Sequence, residues 1–190
     1  DLLNQKVTEN DRTFNFNDSD EVYTVTLDTN NVGLGVTTAG NITINGQTTG
    51  EEKSVVDLAG LTGFVLENET TLTLKDTELR GVATGTDAVY VANEDAVLVL
   101  DGATVRGNIR GREYIDPELG PVTVVFALNT SGNTTVVGNI VNSDVVNSGV
   151  LSVGDLTGSL TNGDVTDIDT SVMTTVSGVM TGNVVNAGTL

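Results

Sequence analysis

The chain has 190 residues, the length of a single domain, and its 26 acidic and 8 basic residues give a formal net charge of −18. Because it contains no Cys and no His, disulfides, thiolate metal sites and a Ser-His-Asp triad are excluded. The charge also argues against a nucleic-acid partner, since phosphate binding requires a basic surface.

The apolar residues are arranged as short runs that are typical of strands. Aromatic residues make up only 4% of the chain, and the apolar mass is Val, Leu, Ile and Ala. The runs end in Gly, Asn, Asp or Ser, which form tight turns, and no stretch shows the 3.6-residue periodicity of a helix. The sequence therefore predicts an all-β fold.

Residues 1–35 are predicted to be a start segment. Alternating apolar runs, with Phe14 and Phe16 in the first and Val22 to Leu27 in the second, flank a polar stretch at residues 17–21. Such a segment could cover the first exposed end of a repetitive fold.

Residues 36–112 contain an internal repeat. Residues 62–81 and 88–107 align at a shift of 26, with apolar positions on apolar positions throughout. The aligned pairs are Phe64 with Tyr90, Val65 with Val91, Leu72 with Leu98, Leu74 with Leu100, Leu79 with Val105, Arg80 with Arg106 and Gly81 with Gly107.

Residues 111–121 interrupt the repeat with both prolines of the chain and are predicted to be a projecting loop. Loops on rigid scaffolds commonly carry binding residues, and an exposed Tyr can anchor an interface or a sugar. The predicted binding residues in and beside this loop are Arg110, Arg112, Glu113, Tyr114, Asp116 and Glu118.

Residues 122–190 repeat at shorter intervals. Residues 140–145 resemble residues 160–165 at a shift of 20, and residues 184–188 continue the series at a shift of 24. This alignment predicts that Asn142, Asn162 and Asn186 share one register. Residues 138–142 also match residues 182–186 directly. The chain stops in mid-pattern, and we expect the natural protein to continue.

These unequal repeats of about 20 to 26 residues predict a parallel β-solenoid over residues 36–190, in which each circuit of the chain stacks on the preceding one. Stacked circuits bury a continuous aliphatic column, so few aromatic residues are needed. An antiparallel sandwich or jelly roll is the alternative, although those folds do not produce in-register repeats of side-chain identity.

A family resemblance follows from the last third of the chain. Residues 145–160 and 182–190 contain Asn147-Ser-Gly-Val-Leu151 and Asn186-Ala-Gly-Thr-Leu190, which resemble the Asn-x-Gly-x-Leu repeats of bacterial autotransporter passenger domains. The resemblance implies a right-handed parallel β-helix, exported through the outer membrane to the cell surface, and a C-terminal transmembrane barrel absent from this chain. Passengers are often adhesins and sometimes proteases, lipases or cytotoxins.

Catalysis on this fold is the alternative to adhesion. Arg80, Arg106 and Arg110, with acids such as Asp76, Glu78 and Asp101, resemble the basic and acidic residues of polysaccharide lyases. Glycoside hydrolysis would need converging carboxylates. Those available are Asp57, Asp76, Asp87, Asp95 and Asp101. Because the chain has a net negative charge, it is a poor electrostatic match for polyuronates, which are also acidic.

No cofactor is predicted, although residues 15–21 and 164–169 are oxygen-rich enough for structural Ca²⁺ without the spacing of a known calcium loop. We expect a non-catalytic surface module acting in adhesion. Its partner would be a host protein, a glycan or a second copy of itself.

Overall fold

The computed structural model describes residues 12–16, 22–24, 36–38, 41–50, 52–67, 69–164, 166 and 169–190. These residues form strands and turns, and none of them lies in a helix, so the prediction of an all-β fold is confirmed. Within the same residues, no helix has the length and hydropathy to cross a membrane. Most of the predicted start segment at residues 1–35 lies outside the described residues.

The strands are short and follow one another closely along the chain. In order they are β1 (Arg12–Asn15), β2 (Val22–Thr24), β3 (Val36–Thr38), β4 (Ile42–Asn45), β5 (Thr48–Thr49), β6 (Glu52–Asp57), β7 (Phe64–Leu66), β8 (Thr71–Lys75), β9 (Thr77–Arg80), β10 (Val89–Val91), β11 (Val97–Asp101), β12 (Thr104–Arg106), β13 (Ile109–Gly111), β14 (Glu113–Asp116), β15 (Gly120–Thr123), β16 (Phe126–Ser131), β17 (Asn133–Val137), β18 (Ile140–Asn147), β19 (Val150–Val153), β20 (Leu156–Asn162), β21 (Met173–Val176), β22 (Met180–Thr181) and β23 (Val184–Asn186).

Apart from β5, β14 and β15, the strands stack in three parallel columns that the chain visits in turn. Face A contains β1, β4, β8, β11, β16 and β23, with the second halves of β18 and β20. Face B contains β2, β6, β9, β12, β17, β19 and β21. Face C contains β3, β7, β10, β13 and β22, with the first halves of β18 and β20.

Faces A and C belong to one large parallel sheet because β18 and β20 each run through both of them. Face B is a second sheet, and β14 and β15 form a small antiparallel sheet of their own. The pairing therefore places each strand on its counterpart from the previous circuit, as the repeats predicted.

Alternation along each strand places aliphatic side chains inside the stack. On face A, Leu72 pairs with Ile42 on one side and with Leu98 on the other, and Leu98 then pairs with Leu128. All four side chains are fully buried. Because like residues lie about 4.8 Å apart in successive circuits, small aliphatic side chains fill the interior without large rings.

The 26-residue alignment is correct on faces A and B and wrong by one residue on face C. Leu72–Leu98, Leu74–Leu100 and Leu79–Val105 pair as predicted. Phe64, however, pairs with Val89 and not with Tyr90. Phe64 points inward and is fully buried, whereas Tyr90 is only half-buried. The predicted alignment matched Phe64 to another aromatic residue, Tyr90. A slip of one residue exchanges the inward-facing and outward-facing positions of a strand, so this match placed a buried residue opposite an outward-facing one.

The 20-residue alignment of the last third is also wrong. Ile140 pairs with Leu156 and Val145 with Leu160, so this circuit advances by about 15 residues. Asn142 lies at the corner inside β18, with φ of 61°, and is not in register with Asn162. Likewise, Gly138 precedes a face C strand whereas Gly182 follows one, so the two similar segments occupy different positions.

The actual asparagine register contains Asn147, Asn162 and Asn186. Their amides form a ladder in which Asn147 Nδ2 donates to Asn162 Oδ1 at 2.8 Å and Asn162 Nδ2 donates to Asn186 Oδ1 at 2.7 Å. Thr130 precedes them in the same column and donates to Asn147 Oδ1. Earlier circuits place Leu74 and Leu100 in this column, so the interior changes there from aliphatic contact to hydrogen bonding.

We expect Leu98→Ala to lower the free energy of unfolding by about 2–5 kcal/mol, because it leaves a cavity in the centre of the aliphatic column. Val99→Ala, at the outward-facing and half-buried neighbouring position, should cost less than about 1 kcal/mol. Urea denaturation measures both values. Equal losses would show that Leu98 is not a core residue.

We expect Asn162→Ala to destabilise the protein by more than about 2 kcal/mol, since it removes the acceptor that Asn147 and Thr174 share inside the stack. Asn129→Ala is the control, because Asn129 is an exposed asparagine on face A. Thermal unfolding of the two variants gives the comparison. A transition for Asn162→Ala that matches the control would contradict a structural role for the ladder.

Candidate functional site

The predicted projecting loop is an antiparallel hairpin formed by β14 and β15. It lies between β13 of face C and β16 of face A, and its two strands pair only with each other. Tyr114 is opposite Val122, and Ile115 is opposite Pro121. The loop therefore has regular structure of its own, because Glu113 to Asp116 and Gly120 to Thr123 have matching lengths on either side of a tight turn.

The base of the hairpin is fixed to the stack. The Arg112 N–H donates to the Val91 carbonyl, and the Val124 N–H donates to the Arg112 carbonyl. Asn142 Nδ2 donates to Glu113 Oε1 at 2.8 Å, which joins the hairpin to the corner of β18. These contacts hold the two strands in a defined position on a rigid support.

Arg112 and Tyr114 stack on each other. The guanidinium carbon of Arg112 lies 4.6 Å from the centroid of the Tyr114 ring. Both side chains are exposed, and a cation–π contact at an exposed site contributes about 0.5–1 kcal/mol. The contact orders one side of the hairpin.

The turn of the hairpin is held by Asp116. Its Oδ1 accepts hydrogen bonds from the N–H groups of Glu118 and Leu119, at 2.8 and 2.9 Å. These bonds lower the pKa of the Asp116 carboxyl below its ordinary value because they favour the charged form. Gly120 ends the turn with φ of 81°, a backbone conformation that glycine adopts more readily than residues with a side chain.

The most exposed large apolar residues of the hairpin are Ile115, which is 80% exposed, and Leu119, which is 81% exposed. Tyr114 is 38% exposed. Ile115 and Leu119 were not among the predicted binding residues. Two large aliphatic residues within a proline-containing break in the repeat were the signal that could have identified them.

Five of the six predicted binding residues lie on the hairpin and one does not. Arg112, Glu113, Tyr114, Asp116 and Glu118 are brought together there. Arg110 lies in β13 on the stack, where its Nε is 3.3 Å from the carboxylate of Asp87. Asp116 is engaged in the turn and Glu113 accepts a hydrogen bond at the base of the hairpin, so Glu118 is the acid that the turn presents.

The arginines of the predicted lyase-like group are paired along the stack. Arg106 Nε and Nη2 both donate to the Glu78 carboxylate, at 2.9 and 3.1 Å, and this interaction raises the pKa of Arg106. Arg80 pairs with Asp57 at 3.2 Å and lies 3.7 Å from Glu78. The Arg106–Glu78 and Arg80–Asp57 pairs bridge successive circuits, whereas Arg80 and Glu78 lie in the same strand; each of these surface ion pairs makes a small energetic contribution.

A groove at the corner between faces A and B brings two of the predicted carboxylates together. Its volume is about 430 Å³. The residues that line this corner groove come from four successive circuits: Thr48, Gly50, Lys53, Asp76, Asp101, Gly102, Thr104, Gly132, Asn133 and Thr135. Of the five acids considered for glycoside hydrolysis, only Asp76 and Asp101 line it; Asp57 and Asp87 pair with arginines elsewhere.

Lys53 occupies the groove and was not identified from the sequence. Its Nζ donates to Thr104 Oγ1 at 3.1 Å and to the Asn133 carbonyl at 3.3 Å, residues of the later circuits. Burial lowers the pKa of Lys53, while the charges of Asp76 and Glu78 act in the opposite direction. The antiparallel pairing of Lys53 with Thr48 of β5 positions it, a contact that no repeat reveals.

The oxygen-rich segments form turns where the structure describes them. Asp164 Oδ1 accepts from the N–H and hydroxyl of Thr166, and Asp169 Oδ1 accepts from those of Ser171. These bonds lower the pKa of both carboxyls. Residues 17–21 of the other segment lie outside the described residues. Within the described part of the chain, no group of three or more acidic side chains could hold a metal ion.

Comparison with known proteins adds no relative: no family model, curated protein or solved structure matches this chain.

We expect the Asp116 carboxyl to titrate at lower pH in the folded protein than in the protein unfolded in urea, because the two turn hydrogen bonds favour its charged form. The stabilisation is present above the unfolded pKa and is lost as pH falls through the folded pKa. NMR titration of the side-chain carboxyl carbon measures both midpoints. Coincident midpoints would contradict the turn geometry.

Proposed function

We propose that this chain is a right-handed parallel β-helix that acts as a non-catalytic adhesion module on a bacterial cell surface. The observation that carries the proposal is the β14–β15 hairpin, which presents exposed Ile115 and Leu119 from a rigid parallel stack. Single exposed aliphatic residues are ordinary, but here two that are each about 80% exposed lie four residues apart on one anchored hairpin.

The parallel pairing and the three columns support the β-helix. Each strand pairs with its counterpart one circuit away, and the aliphatic interior is continuous from Ile42 to Leu160. The composition, which is strongly acidic and without Cys, fits a bacterial surface protein that does not rely on disulfides. The Asn-x-Gly-x-Leu segments resemble autotransporter passengers, which supports export through the outer membrane.

The chemistry of the hairpin favours a host protein as the partner. Ile115 and Leu119 supply exposed apolar side chains, and Glu118 supplies an acidic one in the turn between the two strands. Tyr114, the neighbour of Ile115 in β14, faces the other side of the hairpin with Arg112. Interfaces of this kind exclude water from the centre and leave charges at the edge. The complementary partner surface is an apolar pocket bordered by Lys or Arg.

The contacts of the carboxylates support a module without catalysis. Asp101 lies 3.2 Å from the Lys75 ammonium and accepts from Ser131 Oγ at 2.9 Å. Asp57, Asp87 and Glu78 pair with arginines. These carboxylates hold circuits together. Asp76 and Asp101 do share the corner groove, but Asp101 is already engaged by its two contacts, whereas a hydrolase needs two carboxylates available to the same scissile bond.

The double variant Ile115→Ser/Leu119→Ser should lose at least about tenfold in binding to host cells, because truncating two interface anchors removes more than about 1.4 kcal/mol. Val179→Ser is the matched control, since Val179 is 65% exposed and lies far along the chain from the hairpin. Purified protein is titrated onto cultured epithelial cells and onto immobilised matrix proteins.

Thermal unfolding of both variants checks that folding is unchanged. Binding by the double variant equal to that of the control would remove the hairpin from the proposal. Failure of the wild-type protein to bind any of these surfaces would overturn adhesion itself.

A further inference from the structure

The corner groove is a second surface feature, distinct from the hairpin in position and in chemistry. The hairpin leaves the stack between faces C and A, whereas the groove lies between faces A and B. Its volume of about 430 Å³ is within the range of small-ligand sites. Nothing in the proposed adhesion through Ile115 and Leu119 uses it.

Gly102 and Gly132 are two of the glycines that line the groove. They occupy equivalent corners of successive circuits, with φ of 61° and 59°. A Cβ on Gly102 would lie 2.7 Å from Asp76 Oδ1, and one on Gly132 would lie 2.9 Å from the Gly102 nitrogen. The positive φ and the close packing of neighbouring circuits keep these two corners free of side chains of their own, so the lining side chains there come from Asp76, Asp101 and the Thr residues beside them.

The length of the groove follows from the spacing of the circuits. Asp76, Gly102 and Gly132 represent three successive circuits, and neighbouring strands lie about 4.8 Å apart, so the groove extends roughly 10 Å along the stack. That distance corresponds to about two hexose rings. The segment that carries Thr48, Gly50 and Lys53 borders the groove at the earlier circuits.

The walls carry donors and acceptors together. Asp76 and Asp101 supply carboxylate oxygens, Thr104 and Thr135 supply hydroxyls, and Lys53 supplies an ammonium group. An ammonium has three donors, of which two go to Thr104 and to the Asn133 carbonyl. Sugar hydroxyls both donate and accept, so they match a mixed wall better than a ligand that only donates or only accepts.

The charges around the groove disfavour an acidic ligand. Asp76, Asp101 and Lys53 line it, and the chain has a net charge of −18. Lys75 pairs with Asp101 from outside the lining. The Lys53 ammonium is already bonded to two oxygen atoms of the later circuits. An uncharged ligand meets neither repulsion nor the loss of an ion's hydration.

We propose that the corner groove binds a neutral oligosaccharide, with about two rings lying along the axis of the stack between its Thr and Asp side chains. Thr135 and Thr104 contact the hydroxyls on one side, and Asp76 and Asp101 accept from those on the other. Lys53 is a positioning residue, because it fixes the β5–β6 segment against Thr104 and the Asn133 carbonyl.

The test uses an array of neutral oligosaccharides of glucose, galactose, mannose and N-acetylhexosamines, together with oligogalacturonates. Thr135→Tyr fills the groove from an outward-facing position of face B. Thr175→Tyr is the matched control, since Thr135, Ser152 and Thr175 pair in one outward column and Thr175 lies outside the groove. Thermal unfolding confirms that both variants are folded.

The expected result is retention of one or more neutral glycans by the wild-type protein and by Thr175→Tyr, with at least tenfold weaker binding by Thr135→Tyr. The hairpin variant Ile115→Ser/Leu119→Ser should bind the same glycans as the wild type, which separates this site from the proposed adhesion. The proposal is overturned if no neutral glycan is retained, if oligogalacturonates are preferred, or if Thr135→Tyr binds as well as Thr175→Tyr.

Discussion

The parallel hydrogen bonding between successive circuits is the constraint on which every other feature depends. It places Leu72 between Ile42 and Leu98, so that aliphatic side chains meet their equivalents at a fixed spacing. The same pairing places Arg106 beside Glu78 and Gly132 beside Gly102. Core, surface ion pairs and the corner groove are therefore three consequences of one backbone arrangement.

The stack carries its polar features where the circuits change direction or length. The hairpin emerges at the corner between faces C and A, and the groove lies at the corner between faces A and B. Strand interiors are constrained by the need to alternate between core and solvent, whereas corners tolerate insertions such as β14–β15 and the β5 segment. Side chains that could meet a partner are accordingly concentrated at the corners.

Much of the fold was predictable from the sequence because repetition is a long-range signal. Leu72–Leu98 and Leu79–Val105 were paired correctly, since identical spacing and similar chemistry coincide there. Phe64–Tyr90 failed because similarity of side chains was given more weight than the inward or outward position of each residue. Asn142 was placed in the wrong column because Thr130 pairs with Asn147 and Asn147 with Asn162, so these circuits advance by 17 and 15 residues and not by the 20 of the alignment.

The sites were predictable in part, for a related reason. A break in the repeat located the hairpin, but the identity of its exposed residues depends on the turn that Asp116 makes. The groove depends on Lys53 reaching Asn133, a contact between residues 80 positions apart. Local patterns do not encode such a contact, because it arises from the stacking of circuits between them.

The asparagine ladder has a direction, and this has a consequence for how the circuits align. Thr130, Asn147 and Asn162 all donate toward the later circuit. Each of these three circuits therefore presents one oriented donor to the circuit that follows it, and a following circuit placed out of register would leave that donor without its acceptor. The ladder thus specifies the register of the last circuits, whereas Leu74 and Leu100, which precede Thr130 in the same column, pack without such a directional constraint.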